Sequence, residues 1–118
     1  MRALLIHDDG RPEVLEGSFG EELTLIAVLT QAALAALDES SVHARLPKPE
    51  IVQMKLGETS VTLLRLPESR WLRVEHGNEM SITEIQQWAL QKITSEAGAN
   101  APSSRVTTLM DALNVAPL

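Results

Sequence analysis

The alternation of apolar and polar residues changes period several times along this chain. Residues 2–7, RALLIH, form a short strand-like run that stops at Asp8-Asp9-Gly10, where glycine supplies the positive φ a turn needs. Glu13 to Glu16 predicts a second strand folding back as a hairpin, with Pro12 suited to a strand start. From 21 to 37 the sequence EELTLIAVLTQAALAAL is the longest apolar stretch, and helical spacing divides it into two greasy faces. Leu23, Ile26, Thr30, Leu34 and Leu37 fall on one side, while Leu25, Val28, Leu29, Ala32 and Ala36 fall on the other. Ser18 followed by Glu21 has the form of a capping box for this helix. Its end is set no later than Leu46-Pro47-Lys48-Pro49, which forbids helix.

Period two takes over beyond Pro49. Ile51 to Leu56 sets Val52, Met54 and Leu56 against Ile51, Gln53 and Lys55, and Gly57-Glu58 fits a two-residue hairpin turn. Val61 to Leu66 is apolar on both faces and predicts an interior strand. After a turn at Pro67-Glu68-Ser69, Trp71 to Glu75 sets Leu72 and Val74 against Trp71, Arg73 and Glu75, the latter three expected to face outward. Ser81 and Glu84 repeat the capping-box pattern, and Ile82, Ile85, Ala89 and Ile93 with Trp88 predict an amphipathic helix. Residues 98–102 predict a linker, and Val106, Leu109, Met110 and Leu113 a short helix that is marginal alone. The fold class predicted is α/β in the α+β sense: a five-stranded antiparallel sheet with a long central helix and a C-terminal helix, 1–97 forming one domain and 98–118 a linker with a short helix.

Two apolar faces on one helix are more than 118 residues bury well, so the alanine-rich face, Leu25, Val28, Leu29, Ala32 and Ala36, is expected to pack on a second copy of the chain. The plainer alternative is that these alanines are only good helix formers. Strand 51–56, with Ile51, Gln53 and Lys55 on one face, is a reasonable joining edge.

Composition narrows the function classes. Ten lysines and arginines against sixteen acids give a formal charge of −6 without any basic run, which disfavours nucleic acid and anionic membrane as partners. No cysteine is present, so disulfides and thiol chemistry are excluded, in keeping with a cytoplasmic protein. The opening MRALLI is too brief for a signal peptide. The apolar part of the central helix, about 15 residues interrupted by Gln31, falls short of the ~20 a membrane span requires, so no insertion is expected.

The strand order, the Asp9-Gly10-Arg11-Pro12 turn, the long central helix and the closing amphipathic helix together resemble the roadblock/LC7 domain family, which takes in MglB-like proteins and roadblock-type dynein light chains. The resemblance covers roughly residues 2–97. The chain departs from the family pattern in lacking a helix before the first strand and in carrying the extra segment 103–114, whose helix is expected to fill the vacant place. What the resemblance implies is a profilin-like sandwich that forms a homodimer through its central helices and sheet edges. It further implies a platform for a small Ras-like GTPase or a larger protein complex, with no cofactor and no catalysis of its own.

Candidate chemistry is sparse. His7, Asp8 and Asp9 carry metal-ligating and proton-transferring groups, but consecutive residues at a hairpin tip cannot easily converge on one ion, and Asp-Asp-Gly is what a turn uses. His43 and His76 are expected in loops, solvated. Glu21 and Glu22 complement the helix dipole, with a grip on a partner as the sharper alternative. Gly17-Ser18-Phe19-Gly20 has neither the lysine of a P-loop nor a dinucleotide fingerprint, and Ser18 has no base at a relatable spacing. Trp71 and Trp88 are expected as core or interface filler. The alternative function class is a small-molecule-sensing domain of profilin-like or PAS-like build, which calls for an apolar cavity of ~300 Å³ or more between sheet and helix. An enzyme acting through His7 is the remote third.

Overall fold

The computed structural model describes residues 1–97. The expected linker and tail helix, and with them the substitution of that helix for a leading one, lie outside the described residues. The elements are β1 (Arg2–Ile6), β2 (Pro12–Glu16), α1 (Leu23–His43), β3 (Ile51–Leu56), β4 (Thr59–Leu66), β5 (Arg70–Gly77) and α2 (Ile82–Ala97). All five strands join one antiparallel sheet in the order β2-β1-β5-β4-β3. The central strand is β5. It pairs β1 along Arg2↔Glu75 to Ile6↔Trp71 and β4 along Thr59↔Gly77 to Leu66↔Arg70.

Both faces of the sheet are covered, and period two sorts the core accordingly. Leu4, Ile6, Val61, Leu63 and Trp71 point to the α1 side, where they meet Phe19, Ala27 and Leu34. Ala3, Leu5, Leu64, Leu66, Leu72 and Val74 point to the α2 side against Ile85, Ala89 and Ile93. Each large side chain so buried contributes about 1.5–3 kcal/mol. This corrects the outward placement of Trp71, which is only 7% exposed. The face that Trp71 shares with Arg73 and Glu75 looks solvent-facing in the sequence because of its charges, yet those charges pair: Glu75 binds Arg2 at 2.9 Å and also binds Arg73.

The start of α1 differs from expectation. Ser18 makes no side-chain cap; its carbonyl instead accepts from Arg2 Nη1 at 3.1 Å. Phe19 is drawn into the core beneath the helix, and Gly20, with φ +60°, redirects the chain into a 3-10 turn over Gly20–Glu22. At α2 the capping box forms: Glu84 N–H donates to Ser81 Oγ at 3.1 Å and Ser81 N–H to Glu84 Oε1 at 3.2 Å.

α1 also runs six residues past Leu37, and Gly20–His43 is a 24-residue stretch long and apolar enough to cross a membrane by length and composition. The count of about 15 residues takes in only the apolar part, and the sequence leaves the helix end open as far as Leu46; the helix continues through 38–43, where Asp38 has a partner. That partner is Arg65 of β4, at 2.7 Å. Held by this pair, by Gln31 Nε2 donating to the His7 carbonyl at 3.4 Å, and by the apolar contacts of Ala27 and Leu34, α1 lies on the sheet.

Candidate association surface

Only one side of α1 reaches the sheet. Leu23, Ile26, Ala27, Thr30, Gln31 and Leu34 point inward, with Ala27 and Leu34 fully covered. On the opposite side Leu25, Val28 and Leu29 are between 54% and 59% exposed, and Ala32 and Ala36 are exposed beside them. Leu37, expected inward, is exposed as well. The surface beneath that turn is the polar Arg65, so Asp38 takes the inward position and Leu37 joins the outer face. Val42 lengthens the apolar strip by a further turn.

The sheet edges are unequal. β2 begins at a proline, and its pairing with β1 shifts register between Ala3 and Leu4, two devices that blunt an edge. β3 is an uninterrupted six-residue strand whose pairing with β4 is regular from Ile51↔Leu64 to Leu56↔Thr59. Its outer backbone groups have no strand beside them among the described residues. Gln53 and Lys55 are exposed on the α2 side, Gln53 Nε2 donating to Thr62 Oγ1 at 3.0 Å, while Ile51 is half-buried against the core. The residues that the sequence does not single out are Met54 and Leu56. They lie on the α1 side and are exposed, so one side of the sheet presents apolar surface on both its helix and its edge strand.

The polar candidates settle into structural roles. Asp9 Oδ1 accepts the Arg11 N–H at 3.0 Å and the His7 carbonyl accepts the Gly10 N–H at 2.9 Å, which closes the turn as expected. His7 Nε2 meets Glu13 across the hairpin at 3.0 Å rather than either aspartate. His43 is exposed at the end of α1, facing Glu39. His76 is not a loop residue: it belongs to β5 and is 3% exposed, with Nε2 2.7 Å from Thr62 Oγ1 and Nδ1 2.8 Å from the Gly77 carbonyl. Among the described residues no three His, Cys, Asp or Glu side chains are grouped to hold a metal.

Arg2, Arg73 and Glu75 form a charged cluster beside a cleft of about 390 Å³. Burial raises the Glu75 carboxyl pKa, but hydrogen bonds from Arg2 and Arg73, with their charge, outweigh it and hold the group below its ordinary value. The Arg2 guanidinium also lies 4.3 Å over the Phe19 ring, fixing the approach to α1. A second cleft, of about 410 Å³, opens between α1 and the sheet beside Arg65 and Trp71; its border mixes charged and polar groups with Leu34, Ala35 and Trp71, so it is not the wholly apolar cavity expected of the sensing alternative.

No protein-family profile and no curated protein matches the sequence. Among solved structures the chain is similar to Myxococcus xanthus MglB, with a TM-score of 0.67 and 15% identity over 80% of each chain. It is also similar to the roadblock/LC7 domain from Streptomyces avermitilis, with a TM-score of 0.66 and 17% identity over 80% of this chain and 79% of that one. The fold is of roadblock/LC7 type.

Proposed function

We propose, taking the roadblock/LC7-type fold as premise, that the chain is a non-catalytic homodimeric module of the cytoplasm that binds and regulates a small Ras-like GTPase or scaffolds a protein complex. The observation that carries the pairing is the outer face of α1. Leu25, Val28 and Leu29 stand more than half exposed in line with Ala32 and Ala36. Small residues let a second α1 approach closely, and each large side chain covered contributes about 1.5–3 kcal/mol, counted twice across a two-fold axis. The β3 edges, each with Met54 and Leu56 on the helix side, are the place for the two sheets to join. A surface of this kind also suits a membrane, but the chain has net charge −6 and the helix is already layered onto its own sheet, both of which favour protein.

The GTPase partner rests on the family resemblance. Such a platform needs no residue of its own in the partner's active site, because positioning the partner's groups suffices. Sedimentation of the full chain, followed by a native pull-down with identification of what is retained, tests both parts. A dimer retaining a Ras-like GTPase is the expected result. A monomer contradicts the pairing, and a dimer that retains no such GTPase contradicts the partner.

A further inference from the structure

A second site lies on the flank of α1, away from its outer face. The cleft of about 410 Å³ between α1 and the sheet is bordered by Ala35 and Asp38 of the helix, by Lys48, and by Arg65, Ser69 and Trp71 of the sheet side. Arg65 is locked there from three directions. Its Nη2 donates to Asp38 at 2.7 Å, its Nε to the Pro49 carbonyl at 2.9 Å, and its guanidinium lies 4.4 Å over the Trp71 ring. Five guanidinium N–H groups minus these two bonds leave three donors, already fixed in direction. Lys48 adds an exposed ammonium on the same cleft. Ser69 is held at the rim by an unusual backbone: Glu68 and Ser69 both take the left-handed region, with φ of +67° and +58°. Non-glycine residues resist that conformation, and strain of this kind concentrates where a loop serves a site.

We propose that this cleft binds a small organic carboxylate, the acid group received by Arg65 and Lys48 and the apolar part lying against Ala35 and Leu34. Charge selects the class. Arg65 and Lys48 less Asp38 leave one net positive charge, which matches a monoanion better than a phosphate dianion, and a planar carboxylate fits the free edge of a guanidinium. The volume, which lies within the range of small-molecule sites, exceeds what one acidic side chain fills. The site is independent of the dimer and GTPase reading, since it uses the flank of α1 and not the outer face.

The chain contains two tryptophans, of which Trp71 borders the cleft and Trp88 sits in α2 on the other side of the sheet. The test follows both indole N–H signals by NMR in the full chain. Butyrate, benzoate and inorganic phosphate are titrated separately at constant ionic strength. Movement of the Trp71 signal that saturates with butyrate or benzoate at about millimolar concentration, the scale expected for so few atoms, supports the proposal if Trp88 stays still. Lys48→Gln, on an exposed side chain, should leave the free spectrum unchanged and weaken binding about tenfold, the size of one charged hydrogen bond. Three outcomes overturn the proposal: no saturation with either carboxylate, an affinity indifferent to Lys48→Gln, or phosphate binding as tightly as the carboxylates.

Discussion

The Thr62 hydroxyl lies 2.7 Å from Nε2 of His76, and both residues are buried. His76 Nδ1 faces the Gly77 carbonyl, which can only accept, so in the neutral ring Nδ1 carries the proton and Nε2 accepts from Thr62. Thr62 in turn accepts from Gln53. Thr62→Val keeps the volume but leaves the ring nitrogen buried and unpaired. A loss of about 1–3 kcal/mol in unfolding free energy is expected, measured by denaturant titration. A variant as stable as the parent would remove this pair from the account of the core.

Ala32→Glu addresses association. Ala32 is exposed in the single chain, so the variant should fold with the circular dichroism of the parent. Placed in a helix pair, the carboxylate is an unpaired buried charge costing several kcal/mol, enough to weaken a dimer more than about hundredfold. Sedimentation should then find a dimeric parent and a monomeric variant at the same concentration. Two monomers, or two equal dimers, would be contrary to the proposed interface.

Glu75→Gln addresses pH. Because the folded pKa of Glu75 lies below its unfolded value, the ionised carboxylate contributes stability above the unfolded pKa, and that contribution is lost as pH falls through the folded one. The stability gap between parent and variant should therefore be constant near neutrality and shrink on the acid side of the ordinary carboxylate range. Chemical denaturation across that range measures it; a gap independent of pH would mean that the Arg2 and Arg73 contacts do not favour the charged form.

Ser81→Ala removes one half of a reciprocal cap. The Glu84 N–H loses its acceptor at the first turn of α2, and a destabilisation of about 1 kcal/mol is expected by thermal or denaturant unfolding. The same change at Ser18, whose hydroxyl caps nothing, should have little effect.

The contrast between the two serines shows how far local pattern reaches. Both Ser-x-x-Glu stretches satisfy the same rule, yet only at Ser81 does the chain enter the helix directly. At Ser18 the burial of Phe19 and the left-handed Gly20 take over, a tertiary demand that no four-residue motif records. The alternation of β3 and the helical stripe of α2 are legible for a similar reason to the second cap, since each answers to its nearest neighbours. His76 was not legible: Gly77 and Asn78 read as a turn, while the residue that holds it in the strand, Thr62, is fourteen positions away. Trp71, Arg73 and Glu75 misled because charges on a covered face look like solvent contacts until Arg2 arrives from the far end of the chain. The two-sided character of α1 was plain from spacing, and so were Leu25, Val28 and Leu29 as its outer residues. The exposure of Met54 and Leu56 is not, because alternation puts them on one face with Val52 without telling whether a helix covers that face.

The inequality of the two sheet margins bears on how large an assembly can grow. If two copies meet margin to margin at β3, each spends its one regular docking rim, and the outer limits of the joined sheet are then both β2, with its proline and its slipped register. Among the described residues, no regular edge is then left for a third molecule to extend. A pair joined that way would be self-limiting at two, with blunted edges that disfavour growth into fibres.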